Sequence, residues 1–566
     1  KKLENELKIV RHKIFSLKSK ERKIAWREKD KELREKLSTV LKNQGLPLDA
    51  AEKLAKWDPY DQNASSPFFD SEWMFGVKEG FDVVIGNPPY IGHKGGAKKL
   101  FRELKSTTLG RLFNNERMDI FYYFFHVAIN ITSKKGIISF ITTNYFPTAD
   151  SAVKLRQDIY TRTYPFIFVD FNELTLFESA RGQHNLLSFL SKNKISDNVK
   201  IININAKNYK SESEIKFLLT GEAPETTITN LSNSKYRDEQ SGYFLIKGID
   251  NGSTKINEIV ETLANKSSSA LGDYYDLSQG VVSGIDKISP KHGVRIEKYH
   301  NKIGEGVFVV SKETAESFSQ NDKKLLKPWF KNSDISKYYV NEDTDSYLIH
   351  INSEIKLNNY PSIQNHLEKY KDAILSRNYE SGELSKAKRK GAWWALSSSR
   401  REFDFAKPKI VSPQRSKKNT FGFTQKEWCA SADVYFITSK PKAPIPLLAM
   451  VLILNSKLFY LWLYNRGKRK GEMLELYLTP LAAIPLPNLK LNEIRILNFL
   501  GSLIFNNYTK LNGYHVLFDQ ITNGIIVEHY FPDHMKERGI DVLEFVERDI
   551  NEVMQGREFE KLSDAE

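Results

Sequence analysis

Residues 81–90 read FDVVIGNPPY, an apolar stretch that ends in a glycine and is followed by the tetrapeptide Asn87–Tyr90. The β-branched run Val83–Ile85 predicts a buried strand of a parallel sheet, because strands of such sheets are covered on both faces. Ligands of parallel sheets bind beyond the carboxyl ends of the strands, which is where the tetrapeptide follows. The stretch therefore predicts an α/β fold with a binding site at Asn87–Tyr90.

The tetrapeptide itself suits a planar heterocycle that carries an amino group. Pro88 and Pro89 fix the backbone φ and remove two N–H donors, which leaves carbonyl acceptors on a stiff turn. The Asn87 side-chain oxygen and the Pro88 carbonyl can each accept one hydrogen of an exocyclic amine and so stabilise positive charge as a methyl group arrives. Tyr90 offers a ring on which a base can stack. The alternative is a plain turn after a core strand, with Tyr90 merely packed.

The motif Asn87–Tyr90 resembles the catalytic motif of S-adenosylmethionine-dependent amino-methyltransferases, especially those that act on adenine N6 in DNA. The order of the segments that follow is similar to the second half of the gamma-class adenine methyltransferases, the TaqI methyltransferase type. These segments are the apolar helix opened by 117–121, the strand 135–141, the helix 152–160, and the strands 167–172 and 185–190. In that family a second aromatic ring stacks on the extruded base, and Phe177 stands at the matching place. An ordinary core phenylalanine is the alternative for Phe177.

The resemblance also implies the cofactor S-adenosylmethionine, but the expected binding turn for it is not found in the sequence. Enzymes of this class hold S-adenosylmethionine on a glycine-rich turn before the motif, and nothing before residue 81 matches such a turn. The G-x-G at 304–306 precedes a strand rather than a helix, and a lone G-x-G is a weak signal. We therefore expect the second half of a Rossmann-like class I methyltransferase domain, with the cofactor motif upstream of Lys1. This chain alone is expected to bind S-adenosylmethionine poorly or not at all.

Composition limits the class of protein further. The 566 residues are 40% hydrophobic and carry a net charge of +14, from 84 Lys and Arg against 70 Asp and Glu. The apolar content excludes a disordered chain, and the positive charge favours a polyanion without deciding between DNA, RNA and an anionic membrane. The single Cys429 excludes an intramolecular disulfide framework and suits a reducing cytoplasm. The apolar stretch 445–464 is interrupted by Asn455–Lys457, so we expect a buried helix there rather than a membrane span.

Patterns along the chain predict five regions. They are a charged helical hairpin or insertion helix at 1–42, a methyltransferase catalytic half at 43–195, a connector at 196–265, a target-recognition domain at 266–490, and a helical tail at 491–566. The hairpin is predicted from the a/d seam that begins with Leu3, Leu7 and Val10. The target-recognition domain is predicted from short segments that resemble the α/β specificity domain of gamma-class enzymes, at 273–280, 325–329, 407–411 and 453–456.

Basic residues in the target-recognition region are expected to contact DNA phosphates, which gives salt-dependent affinity rather than sequence choice. They are Lys386, Lys388, Arg389, Lys390, Arg415, Lys417, Lys418, Arg466, Lys468, Arg469 and Lys470. Solvated surface loops are the alternative. We assign no metal site: Asp345, Glu354 and Lys356 have the spacing of metal-dependent nucleases but fall within the specificity-like region, and no Cys/His spacing supports zinc. His184 is expected to cap or pack before a strand.

The sequence as a whole predicts a site-specific DNA methyltransferase that transfers a methyl group from S-adenosylmethionine to adenine N6, within a restriction-modification or phage-defence system. The base must leave the helix, because N6 cannot otherwise reach the donor methyl group. An added nuclease, as in type IIG restriction enzymes, stays open. Two alternatives remain: a non-catalytic DNA-binding or specificity module, and an enzyme with the same motif that acts on RNA or protein glutamine. Double-stranded DNA is the expected partner, with no membrane, in the prokaryotic cytoplasm at the nucleoid. No oligomeric state is assigned.

Overall fold

The computed structural model describes residues 2–43, 52–53, 56–61, 69–92, 97–177, 183–239, 242–246, 254–290, 301–377, 382–470, 473–508 and 514–556. The chain divides into two compact units, 1–251 and 252–566. Both contain helices and sheets, which confirms the predicted α/β class. The division into five regions stays a prediction.

The first unit begins with a helical hairpin, as expected from the apolar seam. Helices α1 (Lys2–Ser16) and α2 (Lys20–Asn43) are joined by three residues, and Leu7 and Val10 pack against Leu33 between them. The spacing of these residues places them on one face of each helix, so their burial holds the two helices together.

Buried charges tie this hairpin to the segments that lead into the sheet. Asp30 is fully buried between Arg11 and Arg34, whose Nε atoms lie 2.8 Å from its two carboxylate oxygens. The second ends of the guanidinium groups reach backbone carbonyls, those of Met74 at 3.0 Å and Trp57 at 2.6 Å. Because buried charges are tolerated only when paired and hydrogen-bonded, this triad fixes the hairpin against the rest of the unit.

The core of the first unit is a sheet with the strand order β1-β2-β4-β3-β5-β6. Its strands are β1 (Phe81–Gly86), β2 (Thr132–Thr143), β3 (Tyr164–Asp170), β4 (Asn185–Ser191), β5 (Asn198–Ile204) and β6 (Thr226–Ser232). Strand β1 is parallel to β2 and β3 is parallel to β5, while β4 is antiparallel to both of its neighbours. Strands β5 and β6 come from the stretch that we expected to be a connector, and they extend the sheet.

Helices cover both faces of this sheet. They are α3 (Ser71–Phe75), α4 (Lys98–Ser106), α5 (Thr108–Phe113), α6 (Phe121–Ile131), α7 (Val153–Arg162) and α8 (Glu212–Thr220). On one face Phe125 of α6 packs against Phe140 of β2, and on the other Leu218 of α8 packs with Val169 and Ile202. The alternation of side chains along each strand supplies both cores.

Strand β1 lies at the edge of the sheet, which differs from the two-sided burial that we predicted. Its parallel pairing with β2 is as expected, and Val84 packs against the core. However, Val83 and Ile85 are 61% and 79% exposed on the other face. Among the described residues only β2 pairs with β1. An apolar run predicts a strand that can be buried. It does not predict whether a neighbouring element covers that strand.

The second unit contains several small sheets, with the strand orders β15-β10-β11-β9, β14-β12-β16-β8, β13-β18-β17 and β19-β7. The strands are β7 (Ser269–Ala270), β8 (Tyr275–Gln279), β9 (Val309–Ser311), β10 (Leu326–Phe330), β11 (Ser346–Ile349), β12 (Lys409–Pro413), β13 (Arg415–Ser416), β14 (Gly422–Thr424), β15 (Cys429–Ala430), β16 (Val434–Ser439), β17 (Lys468–Lys470), β18 (Met473–Glu475) and β19 (Pro485–Leu486).

The helices of the second unit pack on these sheets and on one another. They are α9 (Thr254–Asn265), α10 (Leu271–Tyr274), α11 (Lys312–Ser317), α12 (Pro361–Glu368), α13 (Lys371–Leu375), α14 (Gly382–Arg389), α15 (Leu447–Leu454), α16 (Lys457–Arg466), α17 (Leu478–Ala482), α18 (Leu491–Asn507), α19 (His515–Tyr530), α20 (Pro532–Lys536) and α21 (Val542–Met554).

The apolar stretch that we considered as a membrane candidate forms two helices, α15 and α16, bent by 65° at Asn455 and Ser456. Six of the eight residues of α15 and four of the ten residues of α16 are buried in the larger core of the unit. Asn455 is itself buried and bonds to the backbone of Phe421 in both directions. Within the described part of the chain, no single helix has the length and apolarity needed to cross a membrane.

Candidate functional site

The tetrapeptide lies at the carboxyl end of β1, where close packing of two parallel strands sets its position. Gly86 pairs with Phe140 of β2, and a Cβ atom on Gly86 would lie 3.2 Å from the Phe140 ring. Further back, a Cβ atom on Gly136 would lie 2.6 Å from the carbonyl oxygen of Phe81. Glycine at both positions allows the two strands to pack closely. Asn87 is the first residue after this close contact.

The structure brings the four predicted site residues together at one surface. Asn87 and Pro89 are exposed, Pro88 is buried and Tyr90 is half-buried. The Tyr90 hydroxyl lies 2.8 Å from the Asn87 side-chain oxygen and 3.0 Å from the carbonyl oxygen of Ile141. The Tyr90 ring packs edge-on against Phe121, with the ring centres 6.1 Å apart. A carboxamide acceptor and an aromatic ring therefore stand side by side at the end of the strand. Their catalytic roles stay predictions.

Asp119 holds this loop in place, a role that the sequence patterns did not predict. One of its carboxylate oxygens accepts the backbone N–H of Ile91 at 3.0 Å and that of Phe121 at 3.4 Å. In return, the N–H of Ile120 donates to the carbonyl of Ile91 at 3.0 Å. Asp119 thus joins the residue after Tyr90 to the start of α6. An aspartate shortly before an apolar helix was the available signal, since such residues bind free N–H groups at helix starts.

Burial changes the proton affinity of two groups in this loop. It raises the pKa of the Tyr90 hydroxyl, an effect that a hydrogen bond with Asn185 partly offsets. Burial also raises the pKa of Asp119, although the N–H groups that its carboxylate accepts act in the opposite direction. Both shifts follow from the cost of keeping a charge away from water.

Phe177 and His184 lie between β3 and β4. Phe177 is half-buried and immediately precedes residues 178–182, which are outside the described residues. Its role as a second stacking ring stays a prediction. The His184 ring nitrogen Nδ1 bonds to the carbonyl of Asn172, and the His184 carbonyl accepts the N–H of Asn144 at 2.9 Å. These bonds match the expected packing role before a strand.

A groove of about 300 Å³ runs beside Asn87. Its lining is apolar apart from that carboxamide, and includes Ile85, Phe124, Val127 and Phe140. S-adenosylmethionine carries an ammonium group, a carboxylate and ribose hydroxyls, which need charged or polar partners. The groove can take an apolar or aromatic part of a ligand, but the described residues that line it do not fit the whole cofactor. Among the described residues there is also no cluster of three or more His, Cys, Asp or Glu that could hold a metal ion.

The basic residues predicted to contact DNA are distributed over several elements of the second unit. Three of them, Lys386, Arg389 and Lys390, are exposed on one side at the end of α14 and line a groove. Lys388 is exposed too but lies outside that groove. The spacing of three and four residues explains this, because it places side chains on the same helix face.

A second basic group forms where β13, β18 and β17 pair. Arg415 Nε and Lys468 Nζ lie 3.0 Å and 3.7 Å from the carboxylate of Glu475, which is buried. The Arg469 guanidinium lies over the ring of Tyr464 at 3.7 Å. The sheet therefore brings together cations that are about fifty residues apart in sequence. Their charge is partly compensated within the protein.

The other basic residues of the prediction lie in the same part of the chain. Lys417 and Lys418 are exposed in the segment after β13, Arg466 ends α16, and Lys470 ends β17. Contact with DNA stays a prediction for all of these cations.

Comparisons with known proteins match two separate regions of the chain. Residues 4–177 match the family described as Eco57I restriction-modification methylase, and residues 327–486 match the TaqI-like C-terminal specificity domain. The first match begins inside α1, so it includes the hairpin, and it contains Asn87–Tyr90 and Phe177. The second match contains all the basic residues named above.

Relatives that align with most of the chain are restriction-modification methyltransferases as well. The type II methyltransferase M.HindII of Haemophilus influenzae is 24% identical over 418 residues, which cover 72% of this chain and 75% of the relative. M.BanIII of Aneurinibacillus aneurinilyticus is 24% identical over 471 residues, which cover 80% and 77%. In fold, the chain is similar to the type IIL restriction-modification enzyme MmeI in complex with DNA, with a TM-score of 0.53, 13% identity, and coverage of 79% of this chain. The chain spans about half the length of that solved enzyme, 54%.

Proposed function

Since the chain combines an Eco57I-type restriction-modification methylase region with a TaqI-like C-terminal specificity domain, as its sequence predicted, we propose that it belongs to a site-specific DNA methyltransferase that modifies adenine at N6. The observation that carries this proposal is the exposed carboxamide of Asn87 beside the Tyr90 ring, at the carboxyl end of β1. Adenine N6 is a planar amine that takes part in base pairing, so the target base leaves the helix before it reaches this surface.

Methyl transfer to N6 requires hydrogen-bond acceptors for the amino group and an aromatic ring that holds the base. The Asn87 oxygen exchanges its bond with the Tyr90 hydroxyl for one amino hydrogen of the base, and the Pro88 carbonyl accepts the other. Both bonds favour a tetrahedral nitrogen and stabilise its positive charge in the transition state. Tyr90 stacks on the base, and Phe177 is the proposed second ring. S-adenosylmethionine is the proposed methyl donor.

We further propose that residues outside this chain complete the cofactor site. The apolar lining of the groove beside Asn87 supports this, because the described residues that line it offer no charged side chain to the amino-acid end of S-adenosylmethionine. The chain alone is then inactive. Titration of the chain with labelled S-adenosylmethionine tests the point, and saturable binding at micromolar concentration would contradict it.

The basic second unit is the proposed contact to double-stranded DNA. Its exposed cations at the end of α14 and after β13 support this role, since phosphate contacts supply affinity and register. A DNA substrate also places the protein at the prokaryotic nucleoid. A fused nuclease of the type IIG kind would lie outside the described residues, and no residue here is assigned to it.

A methyl-transfer assay with tritium-labelled S-adenosylmethionine tests the proposal in the full-length protein. Unmethylated genomic DNA, total RNA and a protein extract serve as acceptors, and the labelled nucleoside is identified by chromatography. We expect N6-methyladenine in DNA. Asn87→Ala should lower the rate about a hundredfold or more with DNA affinity unchanged, by analogy with other preorganised polar groups that stabilise a transition state.

Asn193→Ala is the matched control, because Asn193 is an exposed asparagine in a turn of the same unit. Label in RNA or in protein glutamine would replace the proposed substrate with one of the alternatives. DNA binding without any methyl transfer by the full-length protein would favour the non-catalytic specificity module.

A further inference from the structure

A larger groove, of about 990 Å³, lies within the second unit and combines charges of both signs. It is lined by the end of α14, by the segment 400–407, by β8 and by the loop after β11. Six of its lining residues are cationic and five are acidic. This near balance is unusual for a surface that binds a polyanion, so the pairing of the charges decides what the groove can accept.

Glu354 is the acidic residue that pairs with two of the cations at once. Its Oε1 atom lies 2.7 Å from Lys390 Nζ and 3.7 Å from a terminal nitrogen of Arg401. All three side chains are about half exposed. Exposed pairs of this kind are worth at most about 1 kcal/mol, so an incoming anion can exchange with the carboxylate.

Two acidic residues, Glu383 of the same groove and Glu475 elsewhere in the unit, are held more firmly than Glu354, whereas Glu402 is 89% exposed and lies 3.9 Å from Arg401. Glu383 accepts hydrogen bonds from both Ser398 and Ser399, at 2.9 Å and 3.0 Å, and is committed to that loop. In the separate group on β18, Glu475 is buried between its cations. Glu354 is therefore an exchangeable partner, and these two are fixed partners.

The segment that carries Arg401 is held in a strained conformation. Arg400 has a positive φ of 51°, a region that residues other than glycine rarely adopt. Its guanidinium bonds to the Gln279 side chain at 3.1 Å and to the Gly280 carbonyl at 3.3 Å. Such strain persists only where the surroundings fix it, and it presents Arg401 beside α14.

We propose that this groove receives the phosphate backbone of duplex DNA and that Glu354 is its internal counter-charge, occupying Lys390 and Arg401 until phosphates replace it. The inference rests on the proposed function only in taking DNA as the partner. Guanidinium and ammonium groups make strong charge-assisted bonds to phosphate, and the spacing of Lys386, Arg389 and Lys390 on one side of α14 suits a row of phosphates. The displaced carboxylate remains nearby and repels the backbone, which limits affinity.

Binding of fluorescently labelled, unmethylated duplex DNA to the full-length protein at several salt concentrations tests the inference. Glu354→Gln should bind roughly threefold more tightly, as expected for loss of one exposed repulsive charge, and should steepen the plot of log Kd against log salt by roughly one. Glu316→Gln removes the same charge from an exposed position outside the groove and is the control. Lys390→Gln should weaken binding and flatten the slope, whereas Lys388→Gln should have the smaller effect.

The outcomes separate this inference from the proposed function. If Glu354→Gln behaves like Glu316→Gln while Lys390→Gln weakens binding, the counter-charge role is wrong and the DNA contact stands. If Lys390→Gln and Lys388→Gln have equal effects, the groove is not the contact, and the methyl-transfer assay still decides the function independently. Thermal unfolding of each variant shows whether a binding change comes from lost folding.

Discussion

Asp119→Ala should loosen the loop that carries Asn87 and Tyr90 without touching either residue. The substitution removes the acceptor of the Ile91 N–H, at 3.0 Å, and leaves only the backbone bond between Ile120 and Ile91. A hydrogen bond to a charged group contributes about 1.5–3 kcal/mol. If opening of the loop limits exchange of the Ile91 amide, that amount corresponds to exchange about 10- to 150-fold faster.

Hydrogen–deuterium exchange with mass spectrometry on peptides that cover residues 87–92 measures this directly. Asp119→Asn keeps an oxygen acceptor but loses the charge, so its effect should be about half as large in free energy. The methyl-transfer rate should fall in the same order, with Asp119→Ala slower than Asp119→Asn. Unchanged exchange in residues 87–92 for Asp119→Ala would refute the role of Asp119 as the anchor. Faster exchange with an unchanged methyl-transfer rate would show that loop order does not limit catalysis.

Three further predictions concern other parts of the chain. Asp30→Ala removes the carboxylate that lies 2.8 Å from the Nε atoms of the buried Arg11 and Arg34, so urea unfolding should show a loss of about 3–5 kcal/mol, and a loss under 1 kcal/mol would contradict it. Burial lowers the pKa of Lys409 to about 8, below the 10.5 of an ordinary lysine. The unfolded chain then binds more protons between these values, so stability should rise from pH 8 to pH 10.5, and Lys409→Met should abolish that rise in urea titrations. Tyr90→Phe keeps the ring and loses the bond to Asn87, so methyl transfer should fall less than about tenfold, whereas Tyr90→Ala should fall further.

Much of the first unit followed from local patterns in the sequence. The strand before the tetrapeptide, the apolar helix α6 and the strands β2 to β4 were predicted because their apolar spacing matches one regular structure each. The edge position of β1 was not predictable, because it depends on which elements lie beside the strand. The family matches confirm the expected relationship to restriction-modification methylases with a TaqI-like specificity domain.

In the second unit, contacts between distant segments could not be predicted from sequence patterns. Lys390, Arg401 and Glu354 meet in one groove although Glu354 precedes Lys390 by 36 residues. The basic cluster was visible in the sequence, but its carboxylate partner was visible only as part of a nuclease-like spacing. Contacts between distant segments depend on how the chain returns to the same place, and no local pattern encodes that.

The edge position of β1 has a mechanical consequence for the loop that follows it. A loop at the end of a central strand is braced from two sides, whereas among the described residues β1, which carries this loop, pairs with β2 alone. The loop is held by its own two prolines, by the bond of the Tyr90 hydroxyl to Ile141 of β2, and by the bonds of Ile91 with Asp119 and Ile120. Its described bonds therefore restrain the loop on the side that faces β2 and the start of α6.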